Sequence, residues 1–68
     1  MDRYHSPGER IVVVPSHRFY GKLCVAVVDD AGNYEEVGHY GTASRALAEA
    51  LAYQRSWRPD LELKVGRQ

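Results

Sequence analysis

Few side chains in this sequence could act as a nucleophile, a base or a metal ligand. The chain has one cysteine, Cys24, and histidines at positions 5, 17 and 39. A thiolate beside a histidine is an arrangement used in nucleophilic catalysis. Cys24, however, lies within an apolar strand segment, where a cysteine is usually a small core residue. The sequence also lacks a nucleophile elbow and a phosphate-binding loop, and we therefore expect a protein that is not an enzyme.

Two pairs of acidic residues could bind a divalent cation through their carboxylate oxygens. They are Asp29-Asp30 and Glu35-Glu36, and they flank a predicted hairpin. Acidic side chains around a hairpin are usually solvated without a cation. A single cysteine also provides neither a metal-binding cysteine pair nor an internal disulfide. We therefore expect no metal and no cofactor.

One segment, residues 41–57, has a sustained helical pattern, and every other element needs it to cover one face of a sheet. Thr42 can cap its first turn, and Pro59 prevents it from continuing. At about 100° per residue, the apolar side chains fall on one side of this helix. The predicted inward side chains are Ala43, Ala46, Leu47, Ala50, Leu51 and Trp57.

The opposite side of the helix carries a row of small residues at i, i+4 spacing. Small side chains let another backbone approach closely, so this row could contact a partner helix or a second copy of the chain. Alanine is also the best helix former, and that explanation needs no partner. The candidate helix interface consists of Ser44, Arg45, Ala48, Ala52 and Ser56.

Four segments have the composition of strands, and they span residues 9–14, 22–29, 34–40 and 60–65. The first is apolar on both faces, which indicates an interior strand. A right-handed strand–helix–strand connection makes the fourth strand parallel to the third. We predict an α+β fold with element order β-β-β-α-β. Its four-stranded mixed sheet has the order 3-2-1-4, with one α-helix packed on one face.

Length and charge limit the class of protein. Sixty-eight residues form one small domain, residues 9–65, between a flexible lead-in over 1–8 and a tail over 66–68. The apolar runs are too short to span a bilayer and no signal peptide opens the chain, so we expect a cytoplasmic protein without membrane contact. Nine basic residues balance nine acidic ones, whereas DNA-binding domains usually carry a basic excess. A homodimer is one way for so small a domain to bury more surface.

The hairpin between the second and third strands determines which side chains share a face. We expect its turn at residues 30–33, with Gly32 in the left-handed conformation. In that register His39 lies opposite Leu23, on the side that the helix covers. An uncovered, partly apolar sheet face is a candidate interaction surface. The predicted partner-binding residues on the uncovered face are Cys24, Ala26, Val28, Tyr34, Glu36 and Tyr40.

The loop over residues 15–21, PSHRFYG, places cationic side chains next to aromatic ones. Such a loop could bind an anion or stack on a nucleic-acid base. In the alternative interpretation the two aromatic rings cover the sheet edge and the cations are solvated. The alternative nucleic-acid contacts are His17, Arg18, Tyr20 and Lys22.

The hairpin, the helix entry Gly38-His39-Tyr40-Gly41-Thr42 and the alanines that follow it carry a resemblance to a known family. Over residues 22–54 the chain resembles the small arm-DNA-binding domain at the start of tyrosine recombinases. The resemblance implies that the uncovered sheet face enters the major groove, with contacts from Lys22 and Tyr34 and with Tyr40 at the rim. The sequence departs from the family at Glu35 and Glu36, where a DNA reader would carry Lys or Arg, and in its fourth strand.

The same layout also occurs in small phage and mobile-element proteins, including inhibitors of host defence systems. We therefore predict a non-catalytic interaction module whose main partner is a protein, such as a host protein complex that it inhibits. The alternative prediction is a nucleic-acid-binding domain that uses the uncovered sheet face and the loop over residues 15–21.

Overall fold

The computed structural model describes residues 7–66, and its elements follow the predicted order. The four strands form one sheet in the order β3-β2-β1-β4, in which β1 is antiparallel to β2 and parallel to β4. The predicted α+β fold, a four-stranded mixed sheet with one helix, is confirmed. The elements are β1 (Arg10–Pro15), β2 (Leu23–Val28), β3 (Tyr34–Tyr40), α1 (Ala43–Trp57) and β4 (Glu62–Val65).

Helix α1 packs on the sheet through its smallest side chains. Ala46 and Ala50 are both fully buried. Because alanine keeps the helix backbone close to the sheet, β-branched and leucine side chains from the strands fill the layer between them. The other buried members of this core are Ile11, Val13, Val25, Val27 and Leu61, with Leu23, Val37, Tyr40, Tyr53 and Leu63 packed against it.

The predicted inward side of the helix was wrong at its flanks. Leu47 and Leu51 are 39% and 36% exposed, and Trp57 is 72% exposed. Ala43 is exposed as well, whereas Tyr53 packs against the core. The close approach through two alanines turns the helix so that the leucines lie beside the core rather than in it.

Both ends of α1 are capped. The hydroxyl of Thr42 accepts a hydrogen bond from the backbone N–H of Arg45 at 3.2 Å, as the sequence predicted. At the other end the N–H of Arg58 donates to the carbonyl of Gln54. Nε2 of Gln54 in turn donates to the carbonyl of Leu61 at 2.7 Å, which ties the last turn of the helix to the approach of β4.

The pairing of β2 with β3 contains a β-bulge. Val25 pairs with Gly38 and Ala26 pairs with Glu36, so Val37 is the extra residue. Side chains alternate along a strand, and one extra residue therefore reverses the faces of everything that follows it. The predicted pairing of His39 with Leu23 was wrong for this reason.

The bulge moves two aromatic side chains to new faces. Leu23 pairs with Tyr40, which packs against the core beneath the helix, and not on the uncovered face as predicted. His39 pairs with Cys24 and lies on the uncovered face. The ring of Tyr40 occupies the space that a Cβ atom would need at Gly38.

The hairpin between β2 and β3 is held by the side chain of Asp29, which is buried, with only 8% of its surface exposed. Its carboxylate accepts from the N–H groups of Ala31 and Asn33 at 2.9 and 3.0 Å, and from Nδ2 of Asn33 at 2.8 Å. Gly32 has φ of 91°, the left-handed conformation that the sequence predicted.

Pro7, Gly8 and Gly66, which flank the predicted domain, are hydrogen bonded to it. The backbone N–H of Asp30 donates to the carbonyl of Pro7 at 3.0 Å, and Arg10 donates to the carbonyl of Gly8 at 2.6 Å. The N–H of Gly66 donates to a carbonyl of β1 at 2.6 Å. The rest of the predicted lead-in and tail, residues 1–6 and 67–68, lies outside the described residues. Between residues 7 and 66 the protein has no helix with the length and apolarity to cross a membrane.

Candidate functional site

The sheet face opposite α1, called the open face below, combines apolar and polar side chains. Residues that pair across neighbouring strands share a face. Each row across the sheet therefore mixes contributions from three or four strands. The rows are Tyr34–Val28–Arg10–Glu62, Glu36–Ala26–Val12–Lys64 and His39–Cys24–Val14.

Five polar side chains lie together on the open face in two hydrogen-bonded groups, Tyr34 with Cys24 and Ser16 with His39 and Glu36, and we call the five together the Cys24 cluster. Its members are Ser16, Cys24, Tyr34, Glu36 and His39. The hydroxyl of Tyr34 donates to Sγ of Cys24 at 3.3 Å. The ring of His39 lies between Ser16 Oγ, 2.9 Å from Nδ1, and Glu36 Oε1, 3.1 Å from Nε2. The cluster thus fixes the imidazole ring at both nitrogens.

The partners of Ser16 determine which nitrogen of His39 carries the proton. Oγ of Ser16 accepts from the backbone N–H groups of Arg18 and Phe19, at 3.0 and 2.9 Å. Both of its lone pairs are then occupied, so its own proton is donated to Nδ1 of His39. Nε2 of the neutral ring therefore carries the hydrogen that it donates to Glu36. The edge of the Phe19 ring closes this side, with its centroid 4.9 Å from that of His39.

Two pKa values in the cluster are shifted. The hydrogen bond from His39, with smaller help from the charge of Arg18, lowers the pKa of Glu36 below 4.5. The hydrogen bond to Cys24, together with partial burial, raises the pKa of Tyr34 from 10.0 to about 12. At neutral pH the cluster therefore contains an ionised carboxylate and an un-ionised phenol.

Three of the predicted partner-binding residues do not contribute accessible surface to the open face. Cys24 and Ala26 lie on the open face as predicted, but both are fully buried by the longer side chains around them. Tyr40 faces the helix because of the bulge. Tyr34, which is 43% exposed, and the partly exposed side chains of Glu36 and Val28 remain accessible.

A groove runs beside the cluster on the open face, and we call it the valine groove. Its floor is formed by Val12, Val14 and Val28, which are all half-buried, and its volume is about 520 Å³. Tyr34 and His17 are among the side chains on its walls. The remaining lining residues are Arg10, Pro15, Asp29, Gly32 and Asn33.

The sequence did not identify Val12 and Val14 as accessible residues. The β-branched run of the first strand suggested burial on both faces, and that holds only for Ile11 and Val13. Successive side chains of a strand point to opposite faces of the sheet, and the sequence contains only one helix to cover a face. Every second residue of this strand could therefore have been expected on the uncovered face.

The four predicted nucleic-acid contacts lie in the exposed loop between β1 and β2 or next to it. Tyr20 is fully exposed, at 104% of its reference area. The guanidinium of Arg18 lies 3.6 Å from Oε1 of Glu36, so its charge is partly neutralised within the protein. All four of the residues that the sequence analysis predicted as nucleic-acid contacts are exposed: His17, Arg18, Tyr20 and Lys22.

The predicted helix interface is also exposed. Nε of Arg45 lies 2.9 Å from a carboxylate oxygen of Glu49, one turn further along the helix. Ala52 and Ser56 line a smaller cavity of about 230 Å³, with the exposed Trp57 on its wall. This cavity offers less apolar floor than the valine groove.

The open face thus offers an apolar groove with a polar rim, beside a hydrogen-bonded cluster whose only thiol has no exposed surface. A nucleophile must reach the atom that it attacks, and the sulfur of Cys24 has no exposed surface at which a substrate could contact it. Comparisons of the chain with models of protein families, with curated proteins and with solved structures found no match.

Proposed function

We propose that this protein is a non-catalytic interaction module that binds a protein partner in the valine groove. The observation that carries the proposal is the half-buried floor of Val12, Val14 and Val28 on the face that α1 leaves open. The groove has a volume of about 520 Å³. Burial of these valines by a partner would remove apolar surface from water, which is the main favourable term in association.

The rim of the groove has the composition of a protein–protein contact. Interfaces commonly place an apolar centre inside a ring of polar groups, with aromatic side chains as anchors. Tyr34 lies on the wall of the valine groove opposite Val28, is 43% exposed, and donates its hydroxyl to Cys24. Arg10, which pairs with Asp30 at 3.1 Å, provides hydrogen-bond donors at the same rim. A partner segment that presents an apolar side chain next to a carbonyl or carboxylate group fits this arrangement.

Within this proposal the module acts in the cytoplasm, where its buried thiol stays reduced. Its target would be a protein complex of the host, as for the small phage and mobile-element proteins of similar layout. A second copy of the chain is another partner that the groove could accept. Sedimentation of the purified protein distinguishes the two, since only self-association produces a mass that grows with concentration.

The experiment compares two variants that add the same charge at different surfaces. Val12→Glu places a carboxylate on the groove floor beside Lys64, and Ala48→Glu places one on the outer side of the helix. Immobilised wild-type chain and both variants are incubated with extract of the native source, and captured proteins are identified by mass spectrometry. The proposal expects a specific protein with the wild type and with Ala48→Glu that is absent with Val12→Glu. Circular dichroism confirms that both variants are folded.

Two outcomes would contradict binding in the valine groove. Loss of capture with Ala48→Glu alone would assign the interface to the outer row of the helix. Equal capture by Val12→Glu and the wild type would remove the groove from the interface. Tyr34→Ala serves as the second groove variant, because it shortens a side chain instead of adding a charge.

A second candidate function is the binding of single-stranded nucleic acid by the loop between β1 and β2. Full exposure of Tyr20 favours it, since an exposed ring is free to stack on a base. Arg18 and Lys22 would then neutralise phosphates, and binding would weaken steeply as salt concentration rises. Fluorescence anisotropy with labelled single strands and duplexes, at low and high salt, tests this function. Binding at low salt that Tyr20→Ala weakens supports it, and absence of binding at low salt rejects it.

A further inference from the structure

We propose that Cys24, Glu36 and His39 form a binding site for a divalent transition-metal ion, with zinc as the best match. One ligand atom from each of the three residues lies within 4.8 Å of the other two. Ligand atoms of a tetrahedral zinc site, at about 2.0–2.3 Å from the metal, are roughly 3.5 Å apart. The three side chains would therefore need to close by about 1 Å around an ion, which is within the reach of rotamer adjustments.

The β-bulge brings these ligands together. In a regular strand, residues three apart point to opposite faces, but the extra residue Val37 puts both Glu36 and His39 on the open face. Cys24 lies directly opposite His39 on the neighbouring strand. Bulges commonly re-aim side chains at functional sites. The site is thus built by backbone geometry rather than by a chance meeting of long side chains.

The donor set selects the class of metal. Thiolate and imidazole favour zinc, cobalt, nickel and copper, whereas magnesium and calcium prefer oxygen donors. Three protein ligands leave a fourth position of the tetrahedron for water, on the side where Glu36 is partly exposed. Bulky substrates cannot reach the buried sulfur, but a single ion can enter past this carboxylate.

Neighbouring groups would support the ligands from outside. The hydroxyl of Tyr34, which donates to Sγ of Cys24 at 3.3 Å, would stabilise the thiolate form of the ligand. Oγ of Ser16 lies 2.9 Å from Nδ1 of His39 and orients the ring so that Nε2 faces Glu36. A metal-bound histidine usually donates the hydrogen of its second ring nitrogen to a neighbouring acceptor, and Oγ of Ser16 could accept it after releasing one of its two backbone N–H donors.

Proton release accompanies binding. The ion replaces the proton of the Cys24 thiol, which passes to solvent, and the neutral imidazole gives up its hydrogen at Nε2 to solvent and takes one from solvent at Nδ1, so that Nε2 is free to bind the ion. No electron is transferred and no further reactant is needed. The carboxylate of Glu36 exchanges its contact with the ring N–H for a bond to the metal.

The positive charge of Arg18 opposes the ion. Arg18 lies 3.6 Å from Oε1 of Glu36, but its side chain is 62% exposed and can turn into solvent. Replacement of Arg18 by alanine should therefore strengthen metal binding. A gain of affinity on removal of a side chain is a result that general damage to the fold would not produce.

The test uses tag-free, reduced, metal-free protein titrated with cobalt(II) and followed by absorption spectroscopy. We expect one cobalt per chain, with a sulfur-to-cobalt charge-transfer band and the visible bands of tetrahedral cobalt, all displaced by zinc. Cys24→Ser should abolish the charge-transfer band. Glu36→Gln should weaken affinity at least about tenfold. Glu35→Gln is the matched control, because Glu35 pairs with Val27 and so points away from the open face.

The possible results decide the proposal in either direction. Absence of the bands at millimolar cobalt, or bands that persist in Cys24→Ser, would overturn it. If Cys24→Ser does not fold, the comparison of Glu36→Gln with Glu35→Gln decides instead, since both substitutions are on exposed side chains. Equal cobalt affinity in those two variants would also refute the site. Partner capture through the valine groove is measured separately and does not depend on this result.

Discussion

His39 lies directly opposite Cys24 across the ladder between β2 and β3, although strict alternation along β3 would place these two side chains on opposite faces of the sheet. The extra residue of the bulge, Val37, causes this pairing, and Val37 itself packs against the core. The same shift turns Tyr40 under the helix. One irregular residue therefore determines both the composition of the open face and part of the core.

Gly38 is the position at which this register can be tested. A Cβ atom at Gly38 would overlap the ring of Tyr40, which is itself packed against the core. We expect Gly38→Ala to lower the free energy of unfolding by about 1–3 kcal/mol, the usual cost of overpacking. Urea denaturation with matched slopes measures the change.

Gly41→Ala is the control for that substitution. Gly41 has open space around it, so its variant should lie within about 0.5 kcal/mol of the wild type or be slightly more stable. Glycine in a strand is normally unfavourable, and alanine at position 38 would therefore be stabilising if no ring occupied that space. A stabilised Gly38→Ala protein would contradict the packing described here.

The sequence predicted the order of elements because each carries a local signal. Alternation marks the fourth strand, and Thr42 and Pro59 delimit the helix. Gly32 has the left-handed conformation that the hairpin turn required. These signals act over a few residues and do not depend on the rest of the fold.

The faces were harder to predict because they depend on contacts between elements. Gly38 was a signal for the bulge, since glycine within a strand often marks one, but glycine is also compatible with regular pairing. The rotation of the helix about its axis depended on how closely it could approach the sheet. Ala46 and Ala50 allow the helix to approach more closely than Leu47 and Leu51 would. The alanines and the leucines repeat at the same helical spacing, so the sequence pattern does not show which of the two pairs faces the sheet.

Asp29 should be the most important polar residue of the hairpin. Its buried carboxylate accepts three hydrogen bonds from Ala31 and Asn33. Asp29→Ala leaves those donors without their acceptor, and we expect a loss of about 1–3 kcal/mol in the free energy of unfolding. Asp30→Ala is the matched control, because this neighbouring carboxylate is 67% exposed and its ion pair with Arg10 should contribute less than about 1 kcal/mol. Equal losses in the two variants would show that burial of Asp29 has no energetic effect.

Tyr34 should make the protein sensitive to alkaline pH. Its pKa is raised from 10.0 in the unfolded chain to about 12 in the fold, because its hydroxyl donates to Cys24. A raised pKa contributes stability that is complete below pH 10.0 and is lost as the pH rises to about 12. Tyr34→Phe cannot ionise, so its stability should decline less than that of the wild type over this interval. Thermal unfolding of both proteins between pH 9 and pH 12 measures the difference, and parallel curves would contradict the shift.

Arg58 joins the two ends of the domain. Its guanidinium lies 3.0 Å from a carboxylate oxygen of Glu9, before β1, and 3.3 Å from one of Asp60, before β4. These contacts raise the pKa of Arg58 above its ordinary value, and its side chain is only 26% exposed. Because the pair with Glu9 is partly buried and spans 49 positions in the chain, it should be stronger than a typical surface pair. A double-mutant cycle of Arg58→Ala and Glu9→Ala should give a coupling free energy of about 1 kcal/mol.

The same cycle on Arg45 and Glu49, an exposed pair within one helix, should give about 0.3–0.5 kcal/mol. Equal coupling in the two cycles would mean that partial burial does not strengthen the contact between Arg58 and Glu9.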